Sequence, residues 1–429
     1  MLIIGGGPGG YETAVEAAKR GLEVTLISEG PLGGTCLNEG CIPTKTMCHY
    51  AELIEQNIKA GMNCRPSVVT MVEHRQAVME QLRRGVEMML KGVQVVQGRA
   101  QFKDAKTVVC NGQEFTADKI IVATGSVSAS LPIPGAENCI TSKEILDLTE
   151  VPESLCVIGG GVIGLEFASI FRSFGTEVTV LEFCPNILPR FDVDLAKRLK
   201  QSLSRRGINI EVQAQVTRID GNTVTYIKKD KEFTVMADKV LMAVGRRPNV
   251  DGLNLEAAGI DYTRKGITVN DRFETSVPGI YAVGDVTGGI MLAHAATYQG
   301  LRALNSICGQ TDSIRFDLIP AAVFTIPEVA TIGLTEEQCK EQELEVRCLK
   351  SFYRANGKAV SMDETDGYCK VIVDNEGKVL GAHIMGAHSS DLIHEIAAAM
   401  NLGATLDKLQ SVIHSHPTLS EVLQSAIHQ

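Results

Sequence analysis

The sequence predicts an α/β protein in which one doubly wound unit is repeated and a smaller α+β region follows. Three observations carry this: a glycine turn that recurs 154 residues later, a glycine-rich and aromatic-poor composition, and a change of pattern after about Asp317. Gly supplies 41 of the 429 residues and aromatics only 5%, with no Trp, which suits glycine-turned βα units better than an all-β sandwich. At roughly 150 residues per domain, the chain has room for about three.

The repeat comes first. Gly5, Gly7 and Gly10 recur as Gly159, Gly161 and Gly164, and the register holds without a gap from residues 21–27 to residues 175–181. In each copy a β-branched or aliphatic run (residues 2–4 and 156–158) enters Gly-x-Gly-x-x-Gly, and a helical stretch and second strand follow. The first glycine makes the tight turn, the second lets a pyrophosphate approach the backbone, and the third lets helix and strand pack closely. The helix N-terminus then offers free N–H groups and about half a positive charge to phosphates. Both copies read as dinucleotide sites. A shorter echo pairs residues 118–125 with 238–245, each a buried strand closing its unit. Between turn and closing strand the first copy is longer by 34 residues, and Cys36 and Cys41 lie in that extra stretch.

From about Asp317 the pattern mixes strand-like residues 368–373 and 379–384 with a helix-forming run at 391–401, an α+β region without a nucleotide motif. Its end concentrates His414, His416 and Glu421.

Charge and composition exclude several functions. A net charge of -10 with no basic run disfavours nucleic acid and anionic membranes as partners. No apolar stretch approaches the ~20 residues of a membrane helix. Met1 leads straight into strand residues without a charged leader, so a cytoplasmic location is expected. Twelve cysteines are too sparse for a secreted disulfide scaffold, and neither Cys-x-x-Cys pairs nor zinc-finger histidine spacings occur, so no metal is expected.

Cys36 and Cys41 stand apart. Across five residues of ideal helix the axial rise is about 7.5 Å, beyond the ~7 Å limit for a disulfide, so bridging needs a distorted first turn. Gly40 and Pro43 would supply it. The spacing is equally compatible with two separate thiols, or with half of a metal site completed by Cys48 and His49. Lys45, one turn after Cys41, could set an ammonium beside the thiol or a cofactor; alone it reads as a solvated lysine. Glu166 reads as a helix-start charge, and His414 and His416 as imidazoles in a polar turn.

In combination these features say more. Residues 33–45, the turn from Gly159 with Glu166, residues 245–249, Gly284-Asp285 and the stretch from His416 to Glu421 resemble the class I flavin-dependent pyridine nucleotide disulfide oxidoreductases over essentially the whole chain. The resemblance implies the glutathione-reductase-like fold: an FAD domain at 1–148 and 267–316, an NAD domain at 149–266, and a dimerisation domain at 317–429. It implies one FAD per subunit, NAD and a homodimer. Around FAD it implies Gly5, Gly7 and Gly10, Gly34, Thr35 and Lys45, and the strand end Ala123-Thr124-Gly125. Gly284, Asp285, Ala293 and His294 are implied there from the returning segment. Around NAD it implies Gly159, Gly161, Gly164, Glu182 and Gly245.

The implied chemistry is electron transfer. His416, oriented by Glu421, would deprotonate a substrate dithiol whose thiolate attacks a Cys36–Cys41 disulfide. Cys41 would face the flavin, with Lys45 and Glu166 paired near the flavin and nicotinamide, while His416 and Glu421 would serve the cysteines of the partner subunit. The implied substrate is a lipoyl group on a carrier protein of 2-oxo acid dehydrogenase or glycine cleavage complexes. Glutathione- or mercuric-reductase-like activity is the rival, and the absence of a cysteine pair at the chain end speaks against the mercuric one.

Two positions set cofactor expectations. Glu182 closes the second strand of the second copy, where an acid accepts from the adenosine ribose 2′-hydroxyl and repels a 2′-phosphate, so NAD is expected over NADP. The same register puts Ser28 at that place in the first copy, with Glu29 next to it, so a looser FAD site is expected. Glu39 adds a charge between the cysteines.

Overall fold

The computed structural model describes residues 1–62 and 67–429. The chain divides into two compact units. One holds residues Met1–Thr46, Val69–Ala129 and Gly245–Ile314; the other holds Met47–Val68, Ser130–Val244 and Arg315–Gln429.

The first unit is built on a five-stranded parallel sheet in the order Ile280–Ala282, Ile120–Val122, Leu2–Ile4, Thr25–Ser28, Gln94–Gln97. Its three inner and returning strands are buried along their whole length, as a parallel sheet covered on both faces requires. Alternate residues feed separate apolar clusters: Leu2, Ile4, Ile120 and Val122 on one face, Ile3, Leu26, Ile121 and Tyr281 on the other. Each fully buried aliphatic side chain contributes about 1.5–3 kcal/mol. Helix Pro8–Lys19 crosses helix Ala293–Ile307 so closely that a Cβ on Gly300 would lie 1.9 Å from Thr13 Oγ1.

The second unit repeats the plan with four parallel strands, Ile208–Val212, Glu177–Glu182, Ser154–Ile158 and Lys239–Met242. Both closing strands read from the sequence, Ile120–Val122 and Lys239–Met242, therefore pair beside the first strand of their copy. The C-terminal region adds a five-stranded antiparallel sheet, with Tyr368–Asp374 and Val379–Met385 paired inside it and helices Ser389–Asn401 and Glu421–Ile427 packed on its apolar core. A fully buried ion pair joins this sheet to the nucleotide fold of the same unit. Lys370 Nζ lies 2.7 Å from Asp192 Oδ2 and 3.0 Å from Glu336 Oε2, and Asp192 also caps helix Val193–Arg205. Removing one partner of such a pair costs about 3–5 kcal/mol, because the other charge is left buried alone.

The chain returns to the first unit earlier than expected, at Gly245 instead of residue 267. Strand Arg246–Pro248 pairs antiparallel with Ser126–Ser128, and the Asn249 N–H donates to Gly125 O at 2.9 Å. These ladder bonds hold the segment in the first unit. Among the described residues no helix is long and apolar enough to cross a membrane.

Candidate active site

The two glycine turns are packed alike. A Cβ on Gly5 would lie 2.2 Å from Ala123 O, and one on Gly10 1.8 Å from Gly5 O; at Gly159 and Gly164 the corresponding approaches are 2.4 Å to Ala243 O and 2.0 Å to Gly159 O. The middle glycines differ from these. Nothing comes closer than 3.9 Å to a Cβ on Gly7, and nothing within 4 Å of one on Gly161. The first and third glycines thus close the strand–helix junction, and the second leaves an open cradle. Gly7 and Gly161 cap their helices without a side chain, and neither helix has an acid in its first turn. Amide groups and positive dipole ends are therefore left for a pyrophosphate, and both turns fit a dinucleotide.

At the end of strand Glu177–Glu182, the buried Glu182 carboxylate accepts from Gly160 N and Cys184 N, both at 2.6 Å. In the first unit Ser28 Oγ donates to Gly30 O at 2.8 Å, while Glu29 points to solvent 4.0 Å from Arg99. Thr124 Oγ1 donates to Asn249 O at 2.7 Å, and Gly284 N to Gln299 Oε1 at 2.7 Å, which fixes the strand ends around the first turn. Asp285, half-buried, accepts from Ser126 Oγ at 2.5 Å; Ala293 is half-buried and His294 exposed at the start of their helix.

The dithiol segment is seated directly on the first turn. Gly33 N donates to Gly6 O at 2.8 Å, and Gly34, at φ 57°, lies so close to Gly7 that its Cβ would meet the Gly7 Cα at 2.6 Å. Only glycine fits that approach. The expected single distorted helix is two: Gly34–Asn38 carries Thr35 and Cys36, and Cys41–Lys59 begins at the second sulfur. Glu39 breaks between them at φ -141°, and Gly40 is pressed toward Thr35 O, where a Cβ would come to 3.0 Å. This bend brings the sulfurs together.

Cys36 and Cys41 lie in hydrogen-bonding contact with one another. The hydrogen bond to Cys41, then burial, then charge on Cys41 push the Cys36 pKa up; Lys45 opposes them. Cys36 therefore holds its proton more tightly than an ordinary thiol. Glu166, on helix Val162–Ser173 of the second unit, is buried and accepts from Phe324 N at 3.0 Å.

Near the C-terminus, His416 Nδ1 meets Glu421 Oε1 at 2.9 Å, and the other carboxylate oxygen accepts from Thr418 N at 2.8 Å. The Thr418 amide, then His416, hold the Glu421 carboxyl below its usual range. The imidazole is exposed, so its Nε2 is available as a base. His414, two residues earlier, is buried with Nε2 2.8 Å from Glu395 Oε1. Sequence reasoning missed Ser126, Arg246, Glu395 and Thr418 as site residues. Ser126 directly follows the assigned Gly125, and Arg246 lies in the 245–249 stretch that carries the resemblance.

Comparison with known proteins fixes the class. Residues 1–300 match the pyridine nucleotide-disulphide oxidoreductases and residues 319–427 match that family's dimerisation domain. The chain belongs to this family: it is an FAD- and NAD-dependent oxidoreductase acting on a disulfide or other sulfur-containing substrate, and its dimerisation domain supports a homodimer.

Among similar proteins, a dihydrolipoyl dehydrogenase of Bacillus subtilis (strain 168) is 39% identical across 100% of this chain and 97% of its own length. One from Geobacillus stearothermophilus is 41% identical across 99% and 94%. Similar solved structures include the HOCl-induced flavoprotein disulfide reductase RclA from Escherichia coli (TM-score 0.90, 32% identity, 100% and 99% covered). LpdA from Mycobacterium tuberculosis also matches (TM-score 0.90, 30% identity, 100% and 98% covered).

Proposed function

We propose that the protein is a dihydrolipoyl dehydrogenase, oxidising dihydrolipoamide to lipoamide through a Cys36–Cys41 redox disulfide and passing the electrons to NAD. The observation that carries this reading is the sulfur pair held in contact at the first glycine turn, in a chain that also carries an exposed imidazole oriented by a carboxylate. Full-length identity of 37–41% to bacterial dihydrolipoyl dehydrogenases supports the substrate.

FAD, when bound, accepts an electron pair and delivers it as hydride to NAD. The residues do the rest. His416 Nε2 takes the proton from a substrate thiol, and Glu421 at Nδ1 fixes the tautomer and stabilises the imidazolium. The thiolate attacks the Cys36 sulfur of the disulfide, the S–S bond breaks, and the electron pair leaves on Cys41. A second substrate thiolate then releases Cys36 as lipoamide forms. In this reading His416 and Glu421 serve the cysteines of a second copy, and lipoyl-bearing carrier proteins are the physiological partners.

A second reading, reduction of another disulfide or of a metal ion, is favoured by the likeness to RclA, structures of which include Cu(II) complexes. Steady-state rates separate the two: NAD reduction by dihydrolipoamide against NADH oxidation by glutathione disulfide or Cu(II). Dihydrolipoamide should dominate, and His416→Gln should lower that rate by about two to four orders of magnitude. A dominant glutathione or Cu(II) rate, or full lipoamide activity in Cys41→Ser, would overturn the proposal.

A further inference from the structure

Helix Cys41–Lys59 begins at the second sulfur, and from Met47 onward it belongs to the second unit. There it is joined to the helix that starts at the second glycine turn. Three buried side chains of helix Val162–Ser173, those of Glu166, Ser169 and Ser173, stand three and four residues apart and so share one face. Segment 324–326 is held on that face: Phe324 N donates to Glu166 Oε1 and Ile326 N to Ser169 Oγ, both at 3.0 Å. Cys48 Sγ donates to Phe324 O at 3.5 Å, so the same segment also holds the dithiol helix. Cys48 follows Cys41 by about 10 Å of helix axis.

One guanidinium closes the arrangement. Arg206, at the end of helix Val193–Arg205, donates from Nη1 to Ser169 Oγ at 2.9 Å and to Ile326 O at 2.8 Å. From Nη2 it donates to Ser173 Oγ at 2.8 Å and to Glu55 Oε1 at 2.6 Å, and Ser173 Oγ donates to the same carboxylate oxygen at 2.8 Å. Glu55 lies on the helix that begins at Cys41. The Arg206 backbone is fixed too, since its carbonyl accepts from Arg172 Nε at 2.8 Å. Burial works to raise the Glu55 carboxyl, yet the Arg206 charge and hydrogen bond outweigh it and hold the group below its ordinary value. A planar fork thus reads a carboxylate, two hydroxyls and a carbonyl at once, which a lysine point charge cannot do. All of these contacts lie inside the second unit.

We propose that Arg206 is a positioning residue that ties the helix bearing Cys41 to the helix of the second dinucleotide turn, and thereby sets the speed at which NADH opens the sulfur pair. In that step NADH and one proton from solvent go in, the S–S bond breaks, and NAD and two thiols come out, the electron pair passing by way of the flavin. The proposal rests on Cys36 and Cys41 being the redox pair, and it names what holds their helix in place. A stiff helix carries a displacement at Glu55 along to its first turn, and a misplacement of about 1 Å far from the chemistry can slow a reaction about a hundredfold. The glycine turn is closed by its own backbone contacts, so NAD binding should not depend on Arg206.

The test mixes oxidised, flavin-loaded protein anaerobically with NADH, stops the reaction with acid at set times, and counts the freed sulfurs by thiol labelling and mass spectrometry. With the Phe324 bonds still in place, Arg206→Ala should slow the appearance of both thiols about tenfold. NAD affinity by calorimetry, and alkylation of the pair after chemical reduction, should stay within about twofold of wild type, a split that a general loss of structure would not give. Removing Glu55 as well should add little, because the two side chains act as one pair: Arg206→Ala with Glu55→Ala should be within about twofold of Arg206→Ala. Arg206→Lys should regain only part of the rate. If Arg206→Ala does not fold, Glu55→Gln, about threefold slower in the same assay, decides the matter. An unchanged rate, or a loss that appears equally in NAD affinity and alkylation, would overturn the proposal. A wild-type protein whose sulfurs NADH never frees would overturn the redox-pair reading along with it, so wild type alone tells the two failures apart.

Discussion

The two glycine turns share a register and a packing plan yet differ in what closes them. In the second unit Glu182 spans the turn, taking one amide from Gly160 and one from Cys184. In the first, Ser28 turns back to Gly30 O, and the nearest acid, Glu29, faces Arg99 in solvent. The turn itself survives the exchange, because it is built by backbone contacts of the first and third glycines. An acid at this place is therefore not required to form the turn, although Glu182 braces it in the second unit. In the first unit the dithiol segment rests on the middle glycine, so its dinucleotide has further protein around it.

The largest effects should come from the shared architecture. Gly164→Ala puts a Cβ 2.0 Å from Gly159 O and should abolish NAD binding while flavin stays bound; Gly10→Ala, at 1.8 Å from Gly5 O, should release the flavin instead. Flavin absorbance after gel filtration and calorimetric NAD titration read the two losses separately, and either variant losing both cofactors would break the comparison.

Next comes the acid itself. Glu182→Gln removes a charge-assisted acceptor and should weaken NAD about 10- to 100-fold, with less discrimination against NADP, seen as a rise in KM for NAD. The converse exchange, Ser28→Glu, should slow flavin release about tenfold, followed by flavin fluorescence on dilution. Glu29→Gln sharpens this: a loss of flavin equal to that of Gly10→Ala would mean that Glu29 has taken over the role of the missing acid.

The smallest effect belongs to the C-terminal carboxylate. Glu421 is held below its usual pKa by the Thr418 amide and His416. A depressed carboxyl contributes stability above its unfolded pKa and loses it as pH falls through the folded value. The difference in Tm between wild type and Glu421→Gln should therefore be level from neutral pH down to the ordinary carboxylate range and vanish below it. A difference that grows on acidification would contradict the assignment.

Much of this was legible in the sequence because it is local. Gly5, Gly7 and Gly10 leave a mark at fixed spacing, and the closing strands repeat it, since backbone approach admits only glycine. The dithiol segment was legible for the same reason, down to the bend at Gly40. The return at Gly245 was not, because pairing of Arg246–Pro248 with Ser126–Ser128 joins strands far apart in the chain and has no local period. Nor was Lys370, which sits in a strand that reads as apolar and is tolerated only because Asp192 and Glu336 arrive from elsewhere. The joining of Arg246 to Asp285 through Ser126 escaped notice because the three meet only in the folded unit.

The most direct test of the whole account is differential alkylation of Cys36 and Cys41 in the flavin-loaded protein, equilibrated anaerobically with excess NAD or excess NADH. The account predicts that NADH opens the pair, so both sulfurs become alkylated, and that NAD closes it, so both are protected together. Sulfurs that alkylate equally under both conditions, or independently of one another, would contradict it.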